Sequence, residues 1–86
     1  MAEQYIKTNS YGDKFHYKDP AKTIRHREDG PAVEWAHGDK VWYLNGAKHR
    51  IDGPVIEYAD GVKSWYVDSI FIFSVDTKGN ILSRMR

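Results

Sequence analysis

Two histidine–aspartate pairs are the residues of this sequence best placed for acid–base chemistry. His26 lies three residues before Asp29, and His49 lies three residues before Asp52. A carboxylate that orients an imidazole can turn it into a general base. Because the same pair recurs in the same local context, we favour a structural role, in which the imidazole packs on Trp42 or its equivalent and the carboxylate bonds to the turn. We expect no catalytic residue at either pair.

The histidines also raise the question of a metal site. No two of them have the short spacing of known histidine ligand pairs, and the chain has no cysteine to complete a ligand set. The sequence also lacks a phosphate-binding glycine loop, and neither Ser64 nor Ser69 lies in a nucleophile motif. We therefore predict a protein with no metal, no cofactor and no enzyme activity. The histidines considered are His16, His26, His37 and His49.

Basic residues flank both histidines. In stacked repeats they would form one ridge beside Tyr43 and Tyr66, and such a ridge suits nucleic acid, a nucleotide or another phosphorylated ligand. The opposite interpretation is that Glu28, Asp29 and Asp52 neutralise the ridge. The net charge of +1, from 13 basic and 12 acidic side chains, favours neutralisation. The candidate anion-binding residues are Arg25, Arg27, Lys48 and Arg50.

All of these residues belong to a repeat with a period of 23 residues. Residues 26–46 match residues 49–69 without a gap, and the landmarks His-Arg-x-Asp-Gly-Pro and Lys-x-Trp-Tyr are identical in both copies. Residues 12–19 look like a worn copy, at an offset of 26 from residues 38–45. Each unit of such a repeat buries its apolar side mainly against its neighbours.

Alternating apolar residues around His37-Gly38 and Asp60-Gly61 predict a β-hairpin in each copy. A two-residue loop at Asp60-Gly61 places Val55 opposite Tyr66. One face of the predicted sheet is then heavily apolar, and the other, the mixed face, is half polar. The apolar face carries Val33, Trp35, Trp42, Leu44, Ile56, Tyr58, Trp65 and Val67. The mixed face carries Glu34, Tyr43, Val55, Glu57, Ser64 and Tyr66.

The fold class that follows is all-β, an antiparallel meander of about seven or eight strands in a single curved sheet. A chain of 86 residues makes one domain. Asn45-Gly46 is a strong turn dipeptide, which places His49 opposite Trp42. The predicted units are a degenerate N-terminal hairpin (3–25), a first repeat (26–48), a second repeat (49–69) and a C-terminal hairpin (70–86).

The repeat has a recognisable family likeness. Its order Gly-x-Lys-x-Trp-Tyr-x-Asn-Gly, which residues 38–46 fill and residues 61–69 fill in part, resembles the MORN and MORN-like repeats. The connector His-Arg-x-Asp-Gly-Pro-Ala-Val resembles the variant of small tailed-phage and giant-virus proteins. The resemblance covers residues 12–69 and implies serial hairpins that act as scaffolds and binding surfaces. A viral origin would imply an accessory protein that binds and blocks a host factor, such as a CRISPR or other defence component.

Surface that a single-layer meander leaves uncovered gives the strongest indication of function. The mixed face and the continuous apolar strand Ile70–Phe73 need a cover, and exposed aromatic surface generally marks an interface. We therefore expect a non-enzymatic module that binds a partner protein, and the same strand could join two copies in a homodimer. The candidate partner-binding residues are Tyr43, Tyr66, Val55, Glu34, Glu57, Phe71 and Phe73.

The sequence also bears on the compartment. No N-terminal apolar run resembles a signal peptide, and no stretch approaches the ~20 apolar residues that a membrane span requires. The absence of cysteine fits a reducing cytosol. We expect a cytoplasmic protein, in the host cytoplasm if it is viral, with no membrane partner.

Overall fold

A computed structural model describes residues 5–84, which form ten short β-strands and no helix. Eight strands make one open sheet of antiparallel neighbours in the order β1-β2-β3-β4-β7-β8-β9-β10, and β5 and β6 pair as a separate ribbon. The predicted all-β antiparallel class is confirmed, with more and shorter strands than expected because Trp42 divides β4 from β5. The strands are β1 (Tyr5–Thr8), β2 (Lys14–Tyr17), β3 (Val33–Glu34), β4 (Lys40–Val41), β5 (Tyr43–Leu44), β6 (Ala47–Lys48), β7 (Ile56–Glu57), β8 (Lys63–Val67), β9 (Ile70–Val75) and β10 (Ile81–Arg84).

A three-residue turn, used repeatedly, joins the strands at one end of the sheet. In the second repeat the Tyr58 amide donates to the Val62 carbonyl at 2.9 Å, and the Gly61 amide donates to the Tyr58 carbonyl at 2.9 Å. Gly61 has a φ of +95°, which is the left-handed conformation that this turn requires at its third position. The same bonds close the turns Asn9–Asp13, Trp35–Asp39 and Asp76–Asn80.

The three-residue turn changes the pairing of β7 with β8. Ile56 lies opposite Ser64, and Glu57 lies opposite Lys63. The predicted register, based on a two-residue loop, is therefore wrong by one residue. Because side chains alternate between faces, a slip of one residue exchanges the two faces of β8 relative to β7. Ser64, predicted on the mixed face, is instead buried, and its hydroxyl lies 2.7 Å from that of Ser74.

The core lies where the two repeats meet. Its buried members are Val33, Val41, Val55 and Ile56, and the rings packed against them are Phe15, Trp35, Tyr43 and Tyr66. The predicted orientation is thus wrong for Tyr43 and Tyr66, which pack against the core instead of turning away from it. It is also wrong for Val55, which is 0% exposed.

The turns stack on one another through an aspartate. Asp13 Oδ1 accepts the Ala36 amide of the next turn at 2.6 Å, and Asp39 Oδ1 accepts the Ala59 amide at 2.7 Å. These bonds are the main reason that the pKa of each carboxyl lies below its ordinary value of 3.8. The equivalent residue of the third turn is Val62, which has no carboxylate, so the series of aspartate–amide bonds between turns ends there.

Gly38→Ala tests this stacking of turns. Gly38 has a φ of +108°, and a Cβ built on it would lie 3.0 Å from the Ala59 Cβ. We expect a loss of about 1–2 kcal/mol from the left-handed backbone alone, and a further loss from the contact. Gly79→Ala is the matched control, because its φ is +86° and a Cβ there meets nothing within 4 Å. Equal losses in urea unfolding of the two variants would show that the stacked turns do not restrict each other.

Candidate functional site

An arginine closes the connector that leads into each repeat hairpin. Arg50 Nε donates to Asp52 Oδ1 at 3.0 Å, and Nη1 donates to the Pro54 carbonyl at 3.0 Å and to Glu57 Oε2 at 2.8 Å. A Cβ on Gly53 would lie 2.9 Å from the guanidinium carbon, so the glycine leaves room for the arginine. We call this arrangement the arginine clamp.

The first repeat has an equivalent clamp. Arg27 Nε donates to Asp29 Oδ1 at 2.9 Å, Nη1 donates to the Pro31 carbonyl at 3.2 Å, and Nη1 lies 3.5 Å from Glu34 Oε2. A Cβ on Gly30 would again lie 2.9 Å from the guanidinium carbon. Four residues of the motif His-Arg-x-Asp-Gly-Pro thus form the clamp. The arginine donates, the aspartate carboxylate and the proline carbonyl accept, and the glycine leaves room for the guanidinium.

The histidines and aspartates of the connectors do not pair with each other, and each carboxylate, which we expected to bond to the turn, bonds to the arginine two residues before it. His26 Nδ1 accepts the Asn45 amide at 2.8 Å, and its Nε2 lies 3.6 Å from Glu28. His49 Nδ1 lies 3.7 Å from Asp68 Oδ1, is buried, and has no hydrogen-bond partner in the described part of the chain. Neither histidine is therefore oriented by the aspartate of its own connector.

Each clamp arginine contacts a ring, which differs between the repeats. The Arg50 guanidinium carbon lies 3.9 Å from the centre of the Trp42 ring. The residue at the equivalent place beside Arg27 is His16, whose Nε2 is hydrogen-bonded to Arg27 Nη1 at 3.3 Å. After the second repeat, Phe73 takes the place of an arginine and stacks on Trp65 at 4.7 Å. Phe73, a predicted partner-binding residue, thus occupies the position of the clamp arginine after the second repeat, and no third clamp follows among the described residues.

A row of alternating aromatic and basic side chains runs across the strands above the core. Arg25 lies 5.6 Å from the Phe15 ring centre and 5.5 Å from that of Tyr43. Tyr43 faces Lys48 in the β5–β6 ribbon, and Lys48 Nζ lies 5.0 Å from the Tyr66 ring centre. Tyr66 meets Phe71 edge to face at 5.5 Å. We call Phe15, Arg25, Tyr43, Lys48, Tyr66 and Phe71 the basic–aromatic stripe.

The stripe unites residues that the sequence assigned to two different functions. Tyr43, Tyr66 and Phe71 are predicted partner-binding residues, and Arg25 and Lys48 are predicted anion-binding residues. Arg27 and Arg50 form ion pairs with carboxylates of the chain. Within residues 5–84, no ion pair joins Arg25 or Lys48 to a carboxylate. Burial, with smaller effects of neighbouring tyrosines, raises the pKa of the Tyr66 hydroxyl above its ordinary value of 10.0.

An open groove of about 590 Å³ lies on the other side of the β5–β6 ribbon. Side chains alternate along a strand, so Trp42 and Leu44 face away from Tyr43. Both line the groove, together with residues 27–31 of the first connector and residues 49–52 of the second. The groove was not predicted from the sequence, because Trp42 and Leu44 were expected on the apolar face, toward the interior.

The remaining predicted residues are engaged within the chain. Glu34 and Glu57 are half-buried acceptors of the arginine clamps, and they alternate with lysines in a row across the sheet. Val55, predicted to contact a partner, is fully enclosed in the core and is not available to one. The row of charges is Lys14, Glu34, Lys40, Glu57 and Lys63.

The apolar strand predicted at Ile70–Phe73 is confirmed as part of β9. It pairs with β8 on one side, whereas within residues 5–84 β10 pairs on the other side only with the Phe73–Val75 part of β9. Two copies could therefore meet here through the side chains of this strand or through the main chain at its outer side. The homodimer remains a prediction.

Across residues 5–84, no group of three or more His, Asp or Glu side chains is placed to hold a metal ion. No helix in that range is long and apolar enough to cross a membrane. Comparisons with protein-family models, curated proteins and solved structures find no match to this chain. The resemblance to MORN-like repeats therefore stays a prediction.

Proposed function

We propose that this chain is a non-enzymatic binding module that holds a partner protein against the basic–aromatic stripe. The observation that carries the proposal is the pair of cations, Arg25 and Lys48, which lie on half-buried rings and have no carboxylate partner among residues 5–84. Tyrosine and arginine are the usual anchors of protein interfaces. A partner that presents a complementary surface would cover the rings and pair the cations.

The contrast with the clamps supports this choice of surface. Arg27 and Arg50 each contact two carboxylates within the chain, so their charge is already used. Arg25 and Lys48 occupy equivalent places in the two repeats and keep their charge available. The repeat thus presents the same cation–ring pair twice, once with Tyr43 and once with Tyr66.

The resemblance to MORN-like repeats of viral proteins underlies one finer proposal. We propose that the partner is a host factor and that the module acts by occupying its surface. This step rests on the resemblance alone.

Lys48→Glu tests the proposed surface. Tagged wild-type chain and variant are incubated with host cytosol, the retained protein is identified, and its affinity is then measured with purified components. We expect charge reversal to weaken binding by about ten-fold or more, because the reversed charge lies at the centre of the stripe. Lys7→Glu is the matched control, since Lys7 is exposed on the edge strand β1. A partner bound equally by wild type and Lys48→Glu would contradict the proposal.

Binding of single-stranded nucleic acid or another phosphorylated ligand is the second candidate. It is favoured by the alternation of cations and rings along the stripe, which suits phosphates and stacked bases. The affinity for a fluorescent oligouridylate, measured by anisotropy, would then fall as salt is added. The logarithm of the binding constant plotted against the logarithm of the salt concentration would have a slope of about −1.4, which corresponds to two phosphate contacts. The protein-binding proposal predicts no such binding at moderate salt.

A further inference from the structure

We propose that the groove between the two connectors is a second docking site, for a protein segment that presents a lysine or arginine beside an apolar side chain. The groove lies across the β5–β6 ribbon from the basic–aromatic stripe, so the two surfaces can be occupied independently. This inference does not depend on the function proposed for the stripe.

Ile51 gives the groove an exposed apolar side chain. It is 87% exposed at the tip of the second connector, beside the groove. The first connector has Glu28 at the equivalent position and forms the same clamp, so the fold does not require an apolar residue there. Trp42 and Leu44 continue the apolar surface along the wall of the groove. A partner's apolar side chain can be buried between them.

Exposed carboxylates give the groove its charge. Glu28, Asp29 and Asp52 line the groove with side chains that are 82%, 69% and 84% exposed. Arg27 and Arg50, which also line the groove, are bonded to Asp29 and Asp52, so Glu28 leaves one negative charge in excess among the lining residues. The surplus is negative, so the groove favours a cationic side chain and disfavours an anion.

Nuclear magnetic resonance titration of the full chain tests this site directly. The probe is the peptide acetyl-Gly-Lys-Leu-Lys-Leu-Gly-amide, and the control peptide has glutamate in place of both lysines. We expect the lysine peptide to shift the indole N–H signal of Trp42 and the amide of Ile51, with Trp65 as the internal reference outside the groove. We expect the glutamate peptide to leave these signals in place.

Two exposed positions give variants that leave the clamps intact. Ile51→Ser removes the apolar contact, and Glu28→Lys reverses one charge. We expect each to weaken binding of the lysine peptide by about ten-fold. Lys7→Glu, far along the sheet on the edge strand β1, should leave the affinity unchanged.

Four results would overturn the proposal. The lysine peptide could shift signals of the stripe but not of Trp42, or it could shift none at millimolar concentration. Both peptides could bind equally, which would exclude charge selection. Signals of the groove could move with protein concentration in the absence of peptide, which would assign the groove to a second copy of this chain.

Discussion

Arg50→Ala is expected to lower the free energy of unfolding by about 2–4 kcal/mol. The Arg50 guanidinium links the second connector to the hairpin that follows it and to the preceding repeat. It bonds Asp52, the Pro54 carbonyl and Glu57, and it lies 3.9 Å from the Trp42 ring centre. Its removal leaves a half-buried carbonyl and a half-buried carboxylate without their donor.

The size of this effect follows from burial and from the thin core. The Arg50 side chain is only 21% exposed, so its bonds are less screened than those of a surface ion pair. Cation–ring contact adds about 0.5–2 kcal/mol when the cation is desolvated. A domain of this length has a total stability of the order of 5–10 kcal/mol, so the loss is a large share of it.

Urea unfolding of the purified variants measures the loss. Arg50→Lys is the first control, because lysine keeps the charge but lacks the planar fork, and we expect it to recover less than half of the loss. Arg27→Ala is the internal comparison and should cost less, since His16 replaces tryptophan beneath it. Lys63→Ala removes an exposed cation from β8 and should change little. A loss below about 0.5 kcal/mol for Arg50→Ala would mean that the clamp does not hold the repeats together.

The fold was predictable where one turn type is strongly preferred by its residues. Asn45 and Gly46 both have positive φ, at 51° and 85°, as a two-residue hairpin turn requires. The resulting pairing is the predicted one, with the His49 amide donating to the Trp42 carbonyl at 3.3 Å. Periodicity likewise predicted the all-β class, since helical spacing is nearly absent.

The register was not predictable because glycine permits more than one turn. Asp60-Gly61 fits a two-residue loop, but Gly61 instead takes the third place of a three-residue loop. A difference of one residue exchanges the faces, and this is why the tyrosines were predicted on the wrong side. Nothing in the alternation itself distinguishes the two loops.

The clamp was missed for a chemical reason. The motif was found, but its aspartate was assigned to the turn or, in the alternative, to the histidine, although arginine presents a fork of donors that can meet an aspartate, a carbonyl and a glutamate at once. The glycine shared by both copies could have indicated the clamp. Gly30 and Gly53 have no positive φ that would require glycine, and each leaves space for the guanidinium. The basic–aromatic stripe needed the three-dimensional register, since its members come from separate hairpins.

Acidification is expected to destabilise the protein through His16 before any carboxylate is affected. His16 is 6% exposed, and Arg27, which can only donate, gives a hydrogen bond to its Nε2. Its Nδ1 is buried and has no partner among the described residues. Burial, followed by the charge of Arg27, lowers the pKa of His16 below 6.5, and the opposite effects of Glu34 and Asp29 do not overcome this.

The direction of the effect follows from which state takes up the proton first. In the unfolded chain His16 binds a proton near pH 6.5, whereas in the folded chain it does so only at lower pH. Between these two values the unfolded state holds more protons, so stability falls as the pH falls, by at most about 1.4 kcal/mol per pH unit. The carboxylates with lowered pKa act in a separate window, below about pH 4. They are Asp13, Asp19, Asp29, Asp39 and Asp76.

His16→Trp isolates this effect, because it places under Arg27 the ring that the second repeat has under Arg50. Urea unfolding is measured at several pH values between about 7 and 5, where histidine titrates. We expect the wild type to lose stability across this range and His16→Trp to lose much less, with His16→Gln as a second variant that lacks a titrating ring. His37→Gln controls for an exposed histidine and should keep the wild-type slope. If His16→Trp and His16→Gln both keep the wild-type slope of stability against pH, protonation of His16 does not cause the loss of stability. The acid sensitivity would then have to come from elsewhere in the chain.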